Sequence, residues 1–320
     1  MAGRYPYASG VRRVPDAVRR KARALGSAGE RWVDQLAVTV AGLEARWGLT
    51  VGEAIAGGSA AFVAEAVTDD GAPVVLKVAM PDGLEGNGSF DRELETLLLG
   101  DGRGYVAVLR SDVTERAMLL ERLGRPLSAL GYPIERQIDV LAETLDRAWR
   151  PAPQSLELRT GAEQAAFLLQ FVRSRWERLE GPCPEPVVVR AEAFARSRLD
   201  AFDPTTPVLV HGDAHVDNVL EDGRGGFKLI DPEGMRSERA HDLAMQLRDW
   251  TGELLAVNDP AGTGLEWCRR LGERTGVDPV PIWEWAYLER VSTGLFLLEL
   301  GDPGGAGFLQ VAEQWVDAHP

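Results

Sequence analysis

Apolar positions along the chain fall into two regimes. Near the N-terminus Trp32, Leu36, Val40, Leu43 and Trp47 recur at three- and four-residue intervals, which predicts a helix with one apolar face. The basic lead over residues 12–23 reads as a solvated face. From residue 48 to 78 the period shortens. Runs such as Ala61-Phe62-Val63 and Val74-Val75-Leu76-Lys77-Val78 flank the turn signal Asp69-Asp70-Gly71, and together they predict an antiparallel β-meander. A loop over residues 81–89 leads into a short helix over 90–99. Two strands follow, over 105–110 and 117–123, and Gly124-Arg125-Pro126 stops the second.

Beyond that point the period is mostly helical. Ile134, Ile138, Leu141 and Leu145 step along one helix, and Phe167, Leu168, Phe171, Val172 and Trp176 along another. Residues 181–186, rich in Pro, break the second, and a helix over 191–201 follows. A β island then appears at Val208-Leu209-Val210, Asn218-Val219-Leu220 and Phe227-Lys228-Leu229-Ile230, with helices again from Ala240 onward. The expected class is α+β. A helical segment (residues 1–50) precedes a small β-rich lobe (51–124) and a larger helical lobe (125–320) that carries the island.

Composition narrows the function. A net charge of −14 opposes a nucleic-acid partner, which would call for a basic stripe; it suits solubility or a cationic small ligand. No apolar run approaches the roughly 20 residues of a membrane helix. Arg12-Arg13 is followed by Val14-Pro15-Asp16 rather than an apolar core, so no signal peptide and a cytoplasmic setting are expected. Cys183 and Cys268 have no metal or redox spacing and read as buried or incidental thiols. Oligomeric state is not legible.

The chemistry concentrates in His211-Gly212-Asp213-Ala214-His215-Val216-Asp217-Asn218, set between two short apolar strands, and in Asp231-Pro232-Glu233-Gly234 after the next. Phosphoryl transfer needs a carboxylate to orient the attacking hydroxyl and hard oxygen ligands to hold magnesium. Asp213 suits the first role; Asn218 and Asp231 suit the second. A metal site made of His211, Asp213 and His215 lacks an element that would put all three on one face. Lys77, inside an apolar strand, is costly unless paired. Phe90, Leu94, Leu97 and Leu98 define the apolar face of the next helix. Glu93 lies at its edge and Glu95 points away, so Glu93 is the expected partner. Gly57-Gly58-Ser59, between two strands, lets backbone approach an anion, although it matches no Walker or G-x-G-x-x-G pattern.

H-x-D-x-x-x-x-N followed by D-x-x-G resembles the catalytic and metal loops of protein-kinase-like enzymes. The variant H-G-D-x-H-x-x-N with I-D-P is similar to the aminoglycoside phosphotransferase family, in its streptomycin 6-kinase and hydroxyurea-kinase branch. The segments Leu119-Leu120-Glu121-Arg122-Leu123-Gly124-Arg125-Pro126-Leu127 and Ala240-His241-Asp242-Leu243-Ala244 agree with that branch. The resemblance implies a bilobal protein-kinase-like fold using ATP and Mg2+. Asp213 would be the catalytic base, and Asn218 and Asp231 the metal ligands. Lys77, held by Glu93, would grip the α- and β-phosphates under the amides of Gly58 and Ser59. The Glu121 carbonyl and Leu123 amide would meet adenine, and Asp242 would brace the catalytic loop. The implied partner is a small-molecule hydroxyl acceptor of cationic character, an aminoglycoside with streptomycin first. Hydroxyurea, a peptide antibiotic or an amino sugar are alternatives with the same chemistry. A nucleotide-binding pseudokinase is the alternative of another class. Carboxylates and aromatics on the later helices (Asp249, Trp250, Glu253, Trp283, Glu284, Trp285, Tyr287, Glu289 and Glu299) are candidates for the acceptor side.

Overall fold

The computed structural model describes residues 14–55, 58, 60–83 and 89–320. It divides into two compact units. The first runs to Gly102 and resumes over Val106–Leu123; the second comprises Arg103–Tyr105 and Gly124–Pro320.

The first unit opens with α1 (Asp16–Ala24) and α2 (Ser27–Trp47). The stretch read as a solvated basic lead is therefore helical where it is described. Val18 and Ala22 are buried, while Arg19, Arg20 and Arg23 keep the exposed side. Three strands follow, β1 (Leu49–Ala54), β2 (Ala61–Thr68) and β3 (Pro73–Ala79), then α3 (Phe90–Gly100), β4 (Val108–Asp112) and β5 (Ala117–Glu121). The five strands form one antiparallel sheet in the order β1-β2-β3-β5-β4. Val18, Ala22, Leu36, Val40 and Leu43 share a core with Phe62, Ala64, Leu76 and Val78, so the two helices and one face of the sheet close on each other. Side chains alternate across a strand. Lys77, between Leu76 and Val78 in β3, therefore stands on the opposite face.

The strand expected from residue 105 begins only at Val108. Tyr105 pairs instead with Leu229, and its fully buried ring stacks on His211 at 6.0 Å, both in the second unit.

In the second unit, α4 (Ile134–Ala148), β6 (Arg150–Pro151), α5 (Gly161–Arg178) and α6 (Glu185–Ala201) precede β7 (Val208–Val210). Next come β8 (Val219–Glu221), β9 (Phe227–Leu229) and β10 (Met235–Ser237). The chain finishes with α7 (Arg239–Met245), α8 (Thr251–Ala256), α9 (Pro260–Thr275), α10 (Pro279–Glu299) and α11 (Gly305–Trp315). α5 starts with a capping box: Thr160 accepts from the Glu163 amide while Glu163 reaches back to the Thr160 amide. α10 is apolar on nearly all sides and buried accordingly, packed among α5, α6, α7, α9 and α11. The β island is two small antiparallel sheets, β10-β7-β6 and β8-β9. The segment between β7 and β8 and the segment after β9 carry the motif residues.

Candidate active site

In the first unit, Lys77 Nζ donates to Glu93 Oε1 at 2.6 Å. Glu93 is buried on α3 and Glu95 exposed, as the helix face predicts. Glu121 ends β5; its carboxylate accepts from the Ala107 amide at 2.7 Å, and its own amide donates to the Ala107 carbonyl at 3.0 Å. Leu123 lies just past that strand with its side chain buried. Gly58 is exposed, and a Cβ there would meet no heavy atom within 4 Å. Ser59 and Gly57 lie outside the described residues.

In the second unit, β7 delivers His211 into full burial. Its Nδ1 accepts from the Asp213 amide at 3.1 Å, so the proton sits on Nε2, which donates to the Ile230 carbonyl at 2.7 Å. Burial lowers its pKa, in keeping with this neutral tautomer. The loop then turns at Gly212, whose φ of +86° suits a residue without Cβ. A methyl there would also press Glu233 Cβ and Met235 Sδ, both at 3.3 Å. Asp242, fully buried at the start of α7, accepts from the His211 and Gly212 amides at 2.8 Å each and from Trp149 Nε1 at 2.9 Å. It braces the loop from below.

Asp213 follows, half-buried, with Oδ1 gripped by Arg248 Nη2 and Oδ2 3.5 Å from His215 Nε2. Burial pushes its carboxyl up, but the His215 and Arg248 contacts outweigh this and hold it well below the usual carboxylate range. It is an anion throughout the neutral range. Asn218 Nδ2 donates to the Asp213 carbonyl at 3.0 Å. That engages the amide nitrogen and turns the amide oxygen to other partners. Asp231 follows β9 at φ +55°, the left-handed region, which is sparsely populated by non-glycine residues and recurs at functional sites.

These features belong to a known group. A profile of the aminoglycoside/hydroxyurea antibiotic resistance kinases matches residues 46–301. The chain belongs to that family. It is similar to streptomycin 6-kinase of Streptomyces glaucescens, at 28% identity over 88% of this chain and 89% of that one. It also resembles hydroxyurea phosphotransferase of Kitasatospora aureofaciens, at 35% identity over 68% of this chain and 62% of the other. In three dimensions it is similar to amicoumacin kinase hAmiN, solved with AMP-PNP, Ca2+ and Ami, at TM-score 0.59 and 13% identity, over 93% of this chain and 96% of that one. The likeness to choline kinase LicA from Streptococcus pneumoniae has the same TM-score, at 16% identity over 88% and 99%. The fold is protein-kinase-like α+β, and the enzyme is a small-molecule kinase, a phosphotransferase with a hydroxyl acceptor.

Among the described residues of the kinase, no group of three or more His, Cys, Asp or Glu could hold a metal ion by itself. Magnesium keeps several waters and binds through one or two carboxylates plus substrate phosphates. One carboxylate (Asp231) and one amide oxygen (Asn218) are the hard donors such an ion takes. No helix among the described residues is long and apolar enough to cross a membrane.

The acceptor-side candidates divide. Trp283, Trp285 and Tyr287 are at most 1% exposed and are core. Glu284 is paired with Arg198, and Glu299 with Arg175 and Arg178. Trp250 packs edge-on against Trp267 at 5.3 Å. Asp249 alone of the group touches the catalytic loop, where it accepts from the Val216 amide at 3.4 Å. The Arg248 contact is not legible in the sequence: an arginine between Leu247 and Asp249 carries no motif, and only the fold brings it onto Asp213.

Proposed function

We propose that the kinase transfers the γ-phosphoryl group of ATP to a hydroxyl of an aminoglycoside-type antibiotic, streptomycin first, and so confers resistance. The ionised Asp213, held in a braced loop with Asn218 and followed by Asp231, carries the reading. Asp213 orients the acceptor hydroxyl and receives its proton as the new O–P bond forms. Lys77, steadied by Glu93, grips the α- and β-phosphates, with the Gly58 and Ser59 amides beside it. The Glu121 carbonyl and Leu123 amide hold the adenine edge. Asn218 and Asp231 hold magnesium, which when bound neutralises charge on the phosphate oxygens. The net charge of −14 suits a cationic acceptor. Replacing a recognised hydroxyl by a phosphate removes a donor and adds charge, which disrupts the drug's own binding. The streptomycin 6-kinase relative, aligned over 88% of the chain, favours this acceptor.

Hydroxyurea is the second reading, favoured by the relative at 35% identity. A coupled ADP-release assay with magnesium-ATP tests both, against streptomycin, other aminoglycosides, hydroxyurea and amino sugars, with Asp213→Ala as control. Turnover on streptomycin that vanishes in the variant is the expected result. Turnover on hydroxyurea or an amino sugar alone replaces the acceptor; full activity of Asp213→Ala overturns the base assignment.

A further inference from the structure

Arg248 and Arg290 form a chain of contacts that ends on Asp213. Arg290, on α10, is fully buried. Its hydrogen-bond partners among the described residues are all neutral: the Leu247 carbonyl, the Asp249 carbonyl at 3.3 Å and Thr251 Oγ1 at 2.8 Å. Its guanidinium also lies over the rings of Trp315, at 4.9 Å, and Phe308, at 5.5 Å. A buried cation whose hydrogen bonds go only to neutral acceptors is costly for a fold, and the Asp249 carboxylate offsets only part of that cost. The three acceptors all belong to residues 247–251, the turn that leads from α7 into the first residue of α8. That turn is itself strained, with Trp250 at φ +55°. Thr251 Oγ1 in addition donates to the Arg248 carbonyl at 3.3 Å.

The turn projects two side chains onto the catalytic loop. Arg248 Nη2 grips Asp213 Oδ1, while Arg248 Nε donates to the Met245 carbonyl at 3.3 Å, which fixes the guanidinium plane. Asp249 Oδ2 takes the Val216 amide. A planar guanidinium anchored at a second nitrogen sets the direction of the carboxylate it holds, which a point charge does not. With Oδ1 gripped by Arg248 and Oδ2 3.5 Å from His215 Nε2, it is the second lone pair of Oδ2 that faces an incoming hydroxyl.

We propose that Arg248 is the positioning residue of Asp213, seated by Arg290 through residues 247–251. This rests on the assignment of Asp213 as the group that orients the acceptor hydroxyl. Arg248 itself moves no proton and contacts no substrate. It holds the carboxylate in the one rotamer that presents Oδ2.

The test compares Arg248→Ala, Arg248→Gln, Arg248→Lys and Arg290→Lys with Asp213→Asn and the parent. Phosphoryl transfer from magnesium-ATP is followed to streptomycin and, without it, to water, alongside thermal melting. Misplacing a reacting group by an ångström costs about 100-fold in rate. Arg248→Ala and Arg248→Gln are therefore expected to lose about that factor in kcat with the KM for ATP unchanged. Added ethylguanidinium should restore part of the Arg248→Ala rate, an effect no purely structural role produces. Arg248→Lys is expected to fall between, and Arg290→Lys to lower kcat without changing the KM for ATP. If Arg248→Ala does not fold, Arg248→Gln and Arg248→Lys carry the comparison. A folded Arg248→Ala or Arg248→Gln variant with kcat within threefold of the parent, or above it, overturns the proposal while Asp213→Asn is inactive. An active Asp213→Asn overturns the underlying assignment instead.

Discussion

Lys77 Nζ and Glu93 Oε1 lie 2.6 Å apart with side chains only 9% and 11% exposed. A buried pair of this kind adds little net stability, because desolving both charges roughly cancels their attraction. Removing one member is different. Lys77→Ala takes the ammonium from a buried carboxylate and is expected to cost about 3–5 kcal/mol. Phosphoryl transfer should fall with it. The double variant Lys77→Met, Glu93→Leu should recover most of the stability and none of the activity. Urea unfolding beside an ADP-release assay reads both. An active double variant would separate the pair from the phosphates.

Asp242 makes a comparable prediction in the second unit. Its carboxylate is the acceptor for three buried donors, the His211 and Gly212 amides and Trp149 Nε1. Each buried donor left unsatisfied costs about 1–3 kcal/mol. Asp242→Ala should therefore destabilise the protein by several such steps and lower kcat by loosening the loop that carries Asp213. A loss below about 1 kcal/mol in denaturant unfolding would contradict the bracing role, since even one orphaned donor exceeds it.

The motif residues were legible because their chemistry is local. His211, Asp213 and Asn218 sit within eight consecutive positions, and the choice of Glu93 over Glu95 follows from helix geometry alone. α1 falls inside the helical segment expected over residues 1–50, but its inward face is hard to read because only Val18 and Ala22, two short residues amid arginines, are buried. Tyr105 opens an apolar run that looks like a strand, but His211 and Leu229, more than 100 residues away, capture it instead. Trp283 and Trp285 stand beside Glu284 on a helix that gives no clean apolar face to read, and full burial makes them core. Arg248 reaches Asp213 across 35 residues, through a turn whose shape depends on Arg290. No local pattern encodes such a contact.

Asp139 predicts an acid-sensitive element. It is buried on α4 and receives Arg270 through two bonds of 2.8 Å and Arg274 at 2.7 Å, both from α9. Burial pushes its carboxyl up, but the two guanidinium groups outweigh this and hold it below the usual value. A carboxyl whose folded pKa lies below its unfolded value, about 3.9, stabilises the fold fully above that value. The contribution is lost as pH falls through the folded pKa. Asp139→Asn should therefore cost most near pH 7 and progressively less below about pH 4. Urea midpoints of parent and variant at a series of pH values should converge; a constant gap would mean the charge is not what matters.

The two cysteines give a prediction that needs no substrate. Cys183 is 9% exposed and Cys268 fully buried, and neither is in a disulfide. Burial pushes the Cys183 thiol up to about 11 and Cys268 higher still. Only the thiolate attacks a disulfide reagent, so at pH 8 about one Cys183 in a thousand is reactive at any moment. Cys268 should react only when the α9 region opens. A thiol-titrating disulfide reagent should therefore label native protein slowly and incompletely, and label two thiols at once in denaturant. Rapid native labelling of both would show that the helical unit opens far more readily than its packing around Cys268 allows. If labelling instead tracks unfolding, Cys268 becomes an internal reporter for the stability changes predicted for Asp242 and Asp139.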